Sequence, residues 1–335
     1  ATATTPRRGA TAAAGGGAAA AAAAKWSPAT AATTPPRTPP RSPELVEVSI
    51  SSVGADPCQQ STSDLWQVSD NWRRGELLGQ GSYGSVYKAF DARASRFFAV
   101  KQTSLDESSE EGRSHLRSLK AEIDICVSLQ HRHIVSYLGH AEVGNNLCIF
   151  LEYVAGGSLA RVLQEFGPLE GKALTKTARG CAKGLSYLHS RSPPVVHRDI
   201  KCANILVDLQ FCAKLADFGC SKNCEMTQSF TTVGSIPWMA PEVIMQKNGH
   251  GRKADIWSLG CTVLEMATAE RPWGKGAFDN PINALRRIGM SDDLPPIPTT
   301  LPEHVIDFLL LCLNREASAR PSSRELLRTR LVAKA

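Results

Sequence analysis

The segment His197-Arg-Asp-Ile-Lys-Cys-Ala-Asn204, followed by Asp217-Phe-Gly219, gathers the residue types that phosphoryl transfer requires. A carboxylate must orient the attacking hydroxyl and accept its proton. A cation must balance charge on the moving group, and hard oxygen ligands must hold Mg2+. Asp199, Lys201, Asn204 and Asp217 supply those types in order. Gly79-Gln-Gly81-Ser-Tyr-Gly84-Ser-Val86 suits the same chemistry, although Gly-x-Gly-x-x-Gly also marks dinucleotide-binding turns, which need a helix directly after the last glycine. Here Ser85-Val-Tyr-Lys-Ala89 follows and predicts a strand, so the glycines form a hairpin flap whose N–H groups can approach phosphate oxygens. Phe98-Ala-Val-Lys101 comes next. A lysine ending an apolar strand is usually solvated; the alternative is a cleft lysine that contacts nucleotide phosphates and is oriented by a carboxylate. Glu122 supplies that carboxylate, or is a plain surface acid.

These residues need elements to carry them. Glu76–Gly79, Ser85–Ala89, Phe97–Gln102 and Cys148–Tyr153 predict strands, and Ser114–Leu129 a helix marked by Leu116, Leu119, Ile123 and Val127. Beyond Gly157 the pattern is mostly helical, over Leu159–Phe166, Leu174–His189, Asp255–Ala269, Val305–Leu313 and Ser323–Leu331. Strands first and helices afterwards predict an α+β protein with two segregated lobes.

With Ala240-Pro-Glu242, Asp255-Ile-Trp-Ser-Leu-Gly260 and Arg320-Pro321 in the same order, residues 72–331 resemble the eukaryotic protein kinases. The resemblance implies a bilobal fold: a small antiparallel sheet with one helix (about 72–154) and a larger, mainly helical lobe (about 155–331). It implies ATP and Mg2+ as cofactors. Asp199 would be the catalytic base, Lys201 the γ-phosphate contact, and Asn204 and Asp217 the metal ligands. Lys101 would contact phosphates with Glu122 as its partner. Leu78, Gly79, Gly81, Gly84, Val86, Ala99 and Leu206 fall on nucleotide-binding positions. Leu151 would line the back of the adenine pocket, and the backbones of Glu152 and Val154 would bond adenine. Glu242 and Arg320 are expected to form a buried structural ion pair, Asp255 to order the catalytic loop, and Ser235 to contact it.

Lys201, two places after Asp199, resembles serine/threonine rather than tyrosine kinases. Trp72–Gly79, Phe97–Lys101 and Gly260–Thr268 resemble MAP kinase kinase kinases of the MEKK type, which implies a MAP kinase kinase as substrate. A Ste20-like kinase is the nearest alternative. A pseudokinase scaffold is a weaker one, because Lys101, Asp199 and Asp217 are all present. Arg198 would clamp a phosphate on the activation loop with help from Lys222. Thr231 and Thr232 are the favoured acceptors, loaded by an upstream kinase or by autophosphorylation. His133, where the family usually has Asn, and Cys202, where it usually has Gly, depart from the pattern.

Charge and composition set the remaining bounds. Of 38 basic residues, Arg7, Arg8, Lys25, Arg37 and Arg41 fall within residues 1–43, which hold no acid; the rest of the chain carries 33 basic against 32 acidic side chains. A body so nearly neutral argues against nucleic-acid binding. Residues 1–43 are Ala/Gly- and Pro-rich and predict a disordered tail, and residues 44–71 a linker, with a short strand weighed at Leu45–Ile50. Pro36-x-x-Pro39-x-Arg41 would suit an SH3-type partner. No run of 18 apolar residues predicts a membrane span. Ten scattered cysteines without a Cys-x-x-Cys pair suggest reduced thiols and a cytoplasmic protein.

Overall fold

The computed structural model describes residues 68–81, 84–105, 109–218, 222–223, 233–245, 251–274 and 281–333. Five antiparallel strands open the described chain: β1 (Trp72–Gly81), β2 (Gly84–Asp91), β3 (Arg96–Ser104), β4 (Tyr137–Val143) and β5 (Asn146–Glu152), in the order β1-β2-β3-β5-β4. Helix α1 (Glu110–Val127) lies in sequence between β3 and β4, and Ser109 caps it by accepting from the Gly112 N–H at 3.0 Å.

Strand periodicity gives the sheet two different faces. Phe98 and Val100 on β3 join Trp72 and Phe150 in a buried aromatic cluster, with ring centroids 5.5–5.8 Å apart in edge-on geometry. Leu147 and Ile149 of β5 pack instead against Leu119 and Ile123 of α1. The alternate β3 residues Ala99 and Lys101 are buried as well, and Glu122 sits beside Ile123 on α1. The sheet thus holds a lysine and a helical carboxylate in one apolar layer.

The second half is mainly helical: α2 (Leu159–Phe166), α3 (Gly171–His189), α4 (Pro241–Ile244), α5 (Arg252–Thr268), α6 (Pro281–Met290), α7 (Glu303–Cys312), α8 (Ser323–Leu326) and α9 (Arg330–Ala333). Its core is α5, buried on nearly every side from Ala254 to Leu264; the polar Asp255, Ser258 and Thr262 within it bond neighbouring elements. Gly260 lets α7 come close, since a Cβ there would meet the Cys312 Cβ at 2.6 Å. Short strands β6 (Val195–Val196), β7 (Ile205–Val207), β8 (Ala213–Leu215) and β9 (Lys222–Asn223) pair as β6-β9 and β7-β8.

The α+β architecture agrees with the sequence reading. Several details differ, among them the short strands β6–β9 and helix α4, which the sequence reading did not name. β1 is longer than Glu76–Gly79, and β4 and α6 were not anticipated. The expected helix Ser323–Leu331 is two short helices, because the chain restarts at Thr329, whose carbonyl accepts from the Val332 and Ala333 N–H groups. Among the described residues no helix is long and apolar enough to cross a membrane. Residues 1–43, Leu45–Ile50 and the rest of the expected linker 44–71 up to residue 67 lie outside the described residues; its last four residues are described, with Val68 buried in the sheet's aromatic cluster and Ser69 bonded to Asp91.

Candidate active site

The register of β1, β2 and β3 lines up the nucleotide-binding candidates. Gly79 faces Val86, Gly81 faces Gly84, and Val86 faces Lys101. Ala99 pairs with Leu151 on β5. Gly84 has φ of +126°, and a Cβ there would collide with the Gln102 carbonyl oxygen; no L side chain fits this corner. A Cβ on Gly79 would meet nothing within 4 Å, so that stretch of backbone is open to a ligand.

Lys101 Nζ donates to Glu122 Oε1 at 2.9 Å and to Asp217 Oδ1 at 3.2 Å. Lys101 and Glu122 are both buried, whereas the Asp217 side chain is 46% exposed. Burial alone would push the ammonium pKa down. The carboxylates of Asp217 and Glu122 overcome that and hold it above the ordinary lysine value. Lys101 is therefore a fixed cation joining the sheet, α1 and the Asp217 turn. Asp217 has φ of +62°, an uncommon conformation for a non-glycine residue, and it follows Ala216, whose N–H bonds the Asn204 carbonyl at 2.9 Å.

The segment between β6 and β7 carries a second cluster. Lys201 Nζ donates to Asp199 Oδ2 at 2.8 Å and to the Ser235 hydroxyl at 2.7 Å. Asn204 Nδ2 donates to the same Asp199 oxygen at 2.7 Å and to the Asp199 carbonyl at 2.9 Å. Asp255, fully buried on α5, fastens this loop from beneath. Its carboxylate accepts from the N–H groups of His197 (2.8 Å) and Arg198 (2.9 Å) and bonds His189 Nε2 at 2.9 Å. Arg198 has φ of +71°, a conformation costing about 1–3 kcal/mol that surrounding bonds must offset. His197 bonds the Ala216 carbonyl through Nε2 at 3.2 Å and lies 5.1 Å from the Phe218 ring, which links the Asp199 loop to the Asp217 turn. Leu206 lies on β7 and bridges to Ser158 at the start of α2.

Lys101, Glu122 and Asp217 thus form one bonded group, and Asp199, Lys201 and Asn204 another. Thr231 and Thr232 lie outside the described residues, as do the side chain of Lys222 and the tips of the flap and activation loop. Arg320 and Glu242 form the expected ion pair, at 2.7 and 2.8 Å. Besides the His189 bond to Asp255, two roles escaped the sequence reading. Glu152 bridges the halves of the domain through its side chain, with Lys214 of β8 at 2.9 Å and the Ser136 N–H at 3.1 Å. Glu265 on α5 accepts from the Cys202 N–H at 3.1 Å and from Trp238 Nε1 at 3.0 Å, tying the loop to the segment before α4. Neither residue sits in a local pattern that marks it; only the tertiary fold supplies the partners. His133 bonds the Ala213 carbonyl through Nδ1 at 2.8 Å, which occupies its departure from the family residue structurally.

Burial raises the Glu265 pKa above its ordinary 4.5, against the opposing pull of its donors. The folded state then holds this proton more tightly than the unfolded chain, and the group's contribution falls as pH rises above about 4.5. Melting temperatures should therefore show wild type losing ground to Glu265→Gln between about pH 4 and pH 7. A gap that is flat, or that moves toward wild type, contradicts this reading of Glu265.

The protein kinase domain family matches residues 72–332. The chain is 39% identical over 303 residues to Mitogen-activated protein kinase kinase kinase YODA of Arabidopsis thaliana, covering 90% of this chain and 32% of that protein. It is 42% identical over 265 residues to Mitogen-activated protein kinase kinase kinase ANP1 of the same plant (77% and 39%). It is 40% identical over 270 residues to MAP kinase kinase kinase mkh1 of Schizosaccharomyces pombe (76% and 24%). The chain spans about a quarter to two fifths of the length of these relatives. By sequence match the chain belongs to the protein kinase domain family.

Proposed function

We propose that this chain is an ATP-dependent serine/threonine kinase acting as a MAP kinase kinase kinase, with a MAP kinase kinase as its protein substrate. The observation that carries the reading is the bonded Glu122–Lys101–Asp217 group together with the Asp199–Lys201–Asn204 cluster. The three relatives named above are all MAP kinase kinase kinases, which favours this reading over a Ste20-like one.

The donor set fits ATP and Mg2+. Bound ATP supplies an activated phosphoryl group whose transfer needs positioning and charge stabilisation more than covalent help. Lys101 is a desolvated cation suited to phosphate oxygens. Asn204 commits its NH2 to Asp199 and so leaves its carbonyl oxygen as a hard ligand. Together with the exposed carboxylate of Asp217 it offers few protein ligands, as Mg2+ prefers when phosphates and water complete its shell. Open space at Gly79 lets the backbone approach phosphates. Leu78, Val86, Ala99, Leu151 and Leu206 would flank the base. The Glu152 N–H already bonds the Ser136 carbonyl at 2.9 Å, so a Glu152 bond to adenine would use its carbonyl, and Val154 would supply the neighbouring contact.

Asp199 is the proposed base. Its Oδ2 is held by Lys201 and Asn204, while Oδ1 accepts no hydrogen bond from a described residue and would take the hydroxyl proton. Lys201 would meet the γ-phosphate, and its bond to Ser235 would order the neighbouring substrate-binding segment. Phosphate on Thr231 or Thr232, from an upstream kinase or from the chain itself, would add about −1.5 to −2 charge and pair with Arg198. The double variant Thr231→Ala, Thr232→Ala should lower activity about tenfold or more, the worth of one charge-assisted bond at ~1.5–3 kcal/mol. Full activity in a steady-state assay would remove this switch. The Pro-rich tail is proposed to engage an SH3-type partner, and the cytoplasm is the proposed compartment.

A radiolabelled-ATP assay should offer the chain inactive MAP kinase kinases beside Ste20-type substrates. The reading expects faster labelling of MAP kinase kinases, on activation-loop Ser or Thr. Preference for the Ste20-type substrates would overturn the substrate assignment.

A further inference from the structure

Away from the phosphoryl-transfer site, α3 carries a row of cations. Lys172, Lys176, Arg179 and Lys183 recur at helical spacing and share one face. With Arg132 from the segment before β4 and Arg330 from α9, they line a cleft of about 740 Å³. No Asp or Glu is among the described residues that line it. The chain beyond its tail is almost neutral, so this is a local concentration of one sign. Lys176 donates to the carbonyl of Gln210, a contact that fixes the side chain without cancelling its charge. Glu303 reaches Arg330 at 3.4 Å, but both side chains are largely exposed, where such pairs are weak. The cleft answers to its own field: after burial, the charges of Lys183 and Arg132 help to hold the His133 pKa below its ordinary value.

We propose that this cleft docks an extended acidic segment of a protein partner. Lys172 and Lys183 lie eleven residues apart on α3, about 16 Å along the helix axis. An extended chain covers that distance in about five residues, so alternate side chains of an acidic peptide meet successive cations. Charges spread in this way suit a row of carboxylates better than one compact phosphate group. A recessed cleft accepts a strand more readily than the flat surface of a bilayer. The chain's own residues 1–43 carry five basic side chains and no acid, so the cleft repels them.

The test is fluorescence anisotropy with the full chain and a labelled ten-residue peptide of alternating Glu and Ser, beside its Gln counterpart. The triple variant Lys172→Glu, Lys176→Glu, Lys183→Glu should weaken binding of the Glu peptide by about tenfold or more. A charge-matched control, Lys120→Glu, Arg161→Glu, Arg286→Glu, should stay within about twofold of wild type. The Gln peptide should not bind, and salt should weaken the complex. Phosphoryl transfer to a generic substrate should be unchanged in the cleft variant, which shows that it is folded. Failure of the Glu peptide to bind, equal loss in both triple variants, or binding of the Gln peptide overturns the proposal. Cleft-dependent capture of phosphoinositide vesicles more tightly than the peptide also overturns it, in favour of a membrane surface.

Discussion

Asp199→Asn is expected to lower kcat by about 10²–10⁴, or ~3–5 kcal/mol of barrier. The amide keeps the shape of the carboxylate but cannot take the proton from an acceptor hydroxyl. It also removes the negative charge that Lys201 meets at 2.8 Å, so the lysine loses the partner that aims it. Asn204, whose NH2 lies 2.7 Å from the same oxygen and 2.9 Å from the residue's backbone carbonyl, can still donate to the amide oxygen, so the shape of the loop is kept. The Glu122–Lys101–Asp217 group is untouched, so KM for ATP should change by less than about threefold. An unaltered melting temperature would separate this chemical loss from misfolding. Wild-type turnover in the variant would remove Asp199 from its assigned role.

The second large effect is on stability. Arg320 is 1% exposed. Its guanidinium meets both Glu242 oxygens in a fork, and donates to the carbonyls of Lys253 (2.9 Å), Asn314 (2.6 Å) and Arg315 (3.3 Å). It also stands 5.1 Å from the centroid of the Trp257 ring. Arg320→Ala strands Glu242 and three carbonyls together, and removing one partner of a buried pair costs about 3–5 kcal/mol. That is a large share of the ~5–15 kcal/mol that holds a domain folded. Urea unfolding should show a lower midpoint at similar slope. Glu242→Gln, which keeps an acceptor for the fork, should cost clearly less. A loss below about 1 kcal/mol in Arg320→Ala contradicts this account of the pair.

What the sequence made legible follows from how the chemistry is laid out along the chain. Asp199, Lys201, Asn204 and Asp217 lie in one short strand–loop–strand passage, so their spacing is itself the signal. Lys101 could be read from the apolar strand before it. Its bond to Glu122 joins residues 21 positions apart and its bond to Asp217 residues 116 apart, and neither distance could be read locally. Glu265 and His189 escaped notice for the same reason: each is a polar residue on a buried helix face whose partner comes from another element. β4 was missed because it is an edge strand with only Ala141 buried, and Gly139, at φ of +147°, interrupts its alternation. β1 was shortened because Arg73, Arg74 and Glu76 hide a strand that the pairing of Trp72 with Asp91 reveals. α6 was passed over although Ala284, Leu285 and Ile288 recur at helical spacing, and Ala284 and Ile288 are fully buried.

The most direct measurement is transfer of labelled phosphate from ATP and Mg2+ to a catalytically dead MAP kinase kinase, with wild type and Asp199→Asn side by side and the labelled amino acid identified. The account predicts label on Ser or Thr that depends on Mg2+ and nearly vanishes in the variant. Absence of ATP consumption by wild type with a phosphorylated loop and a suitable acceptor, or undiminished labelling by Asp199→Asn, contradicts it.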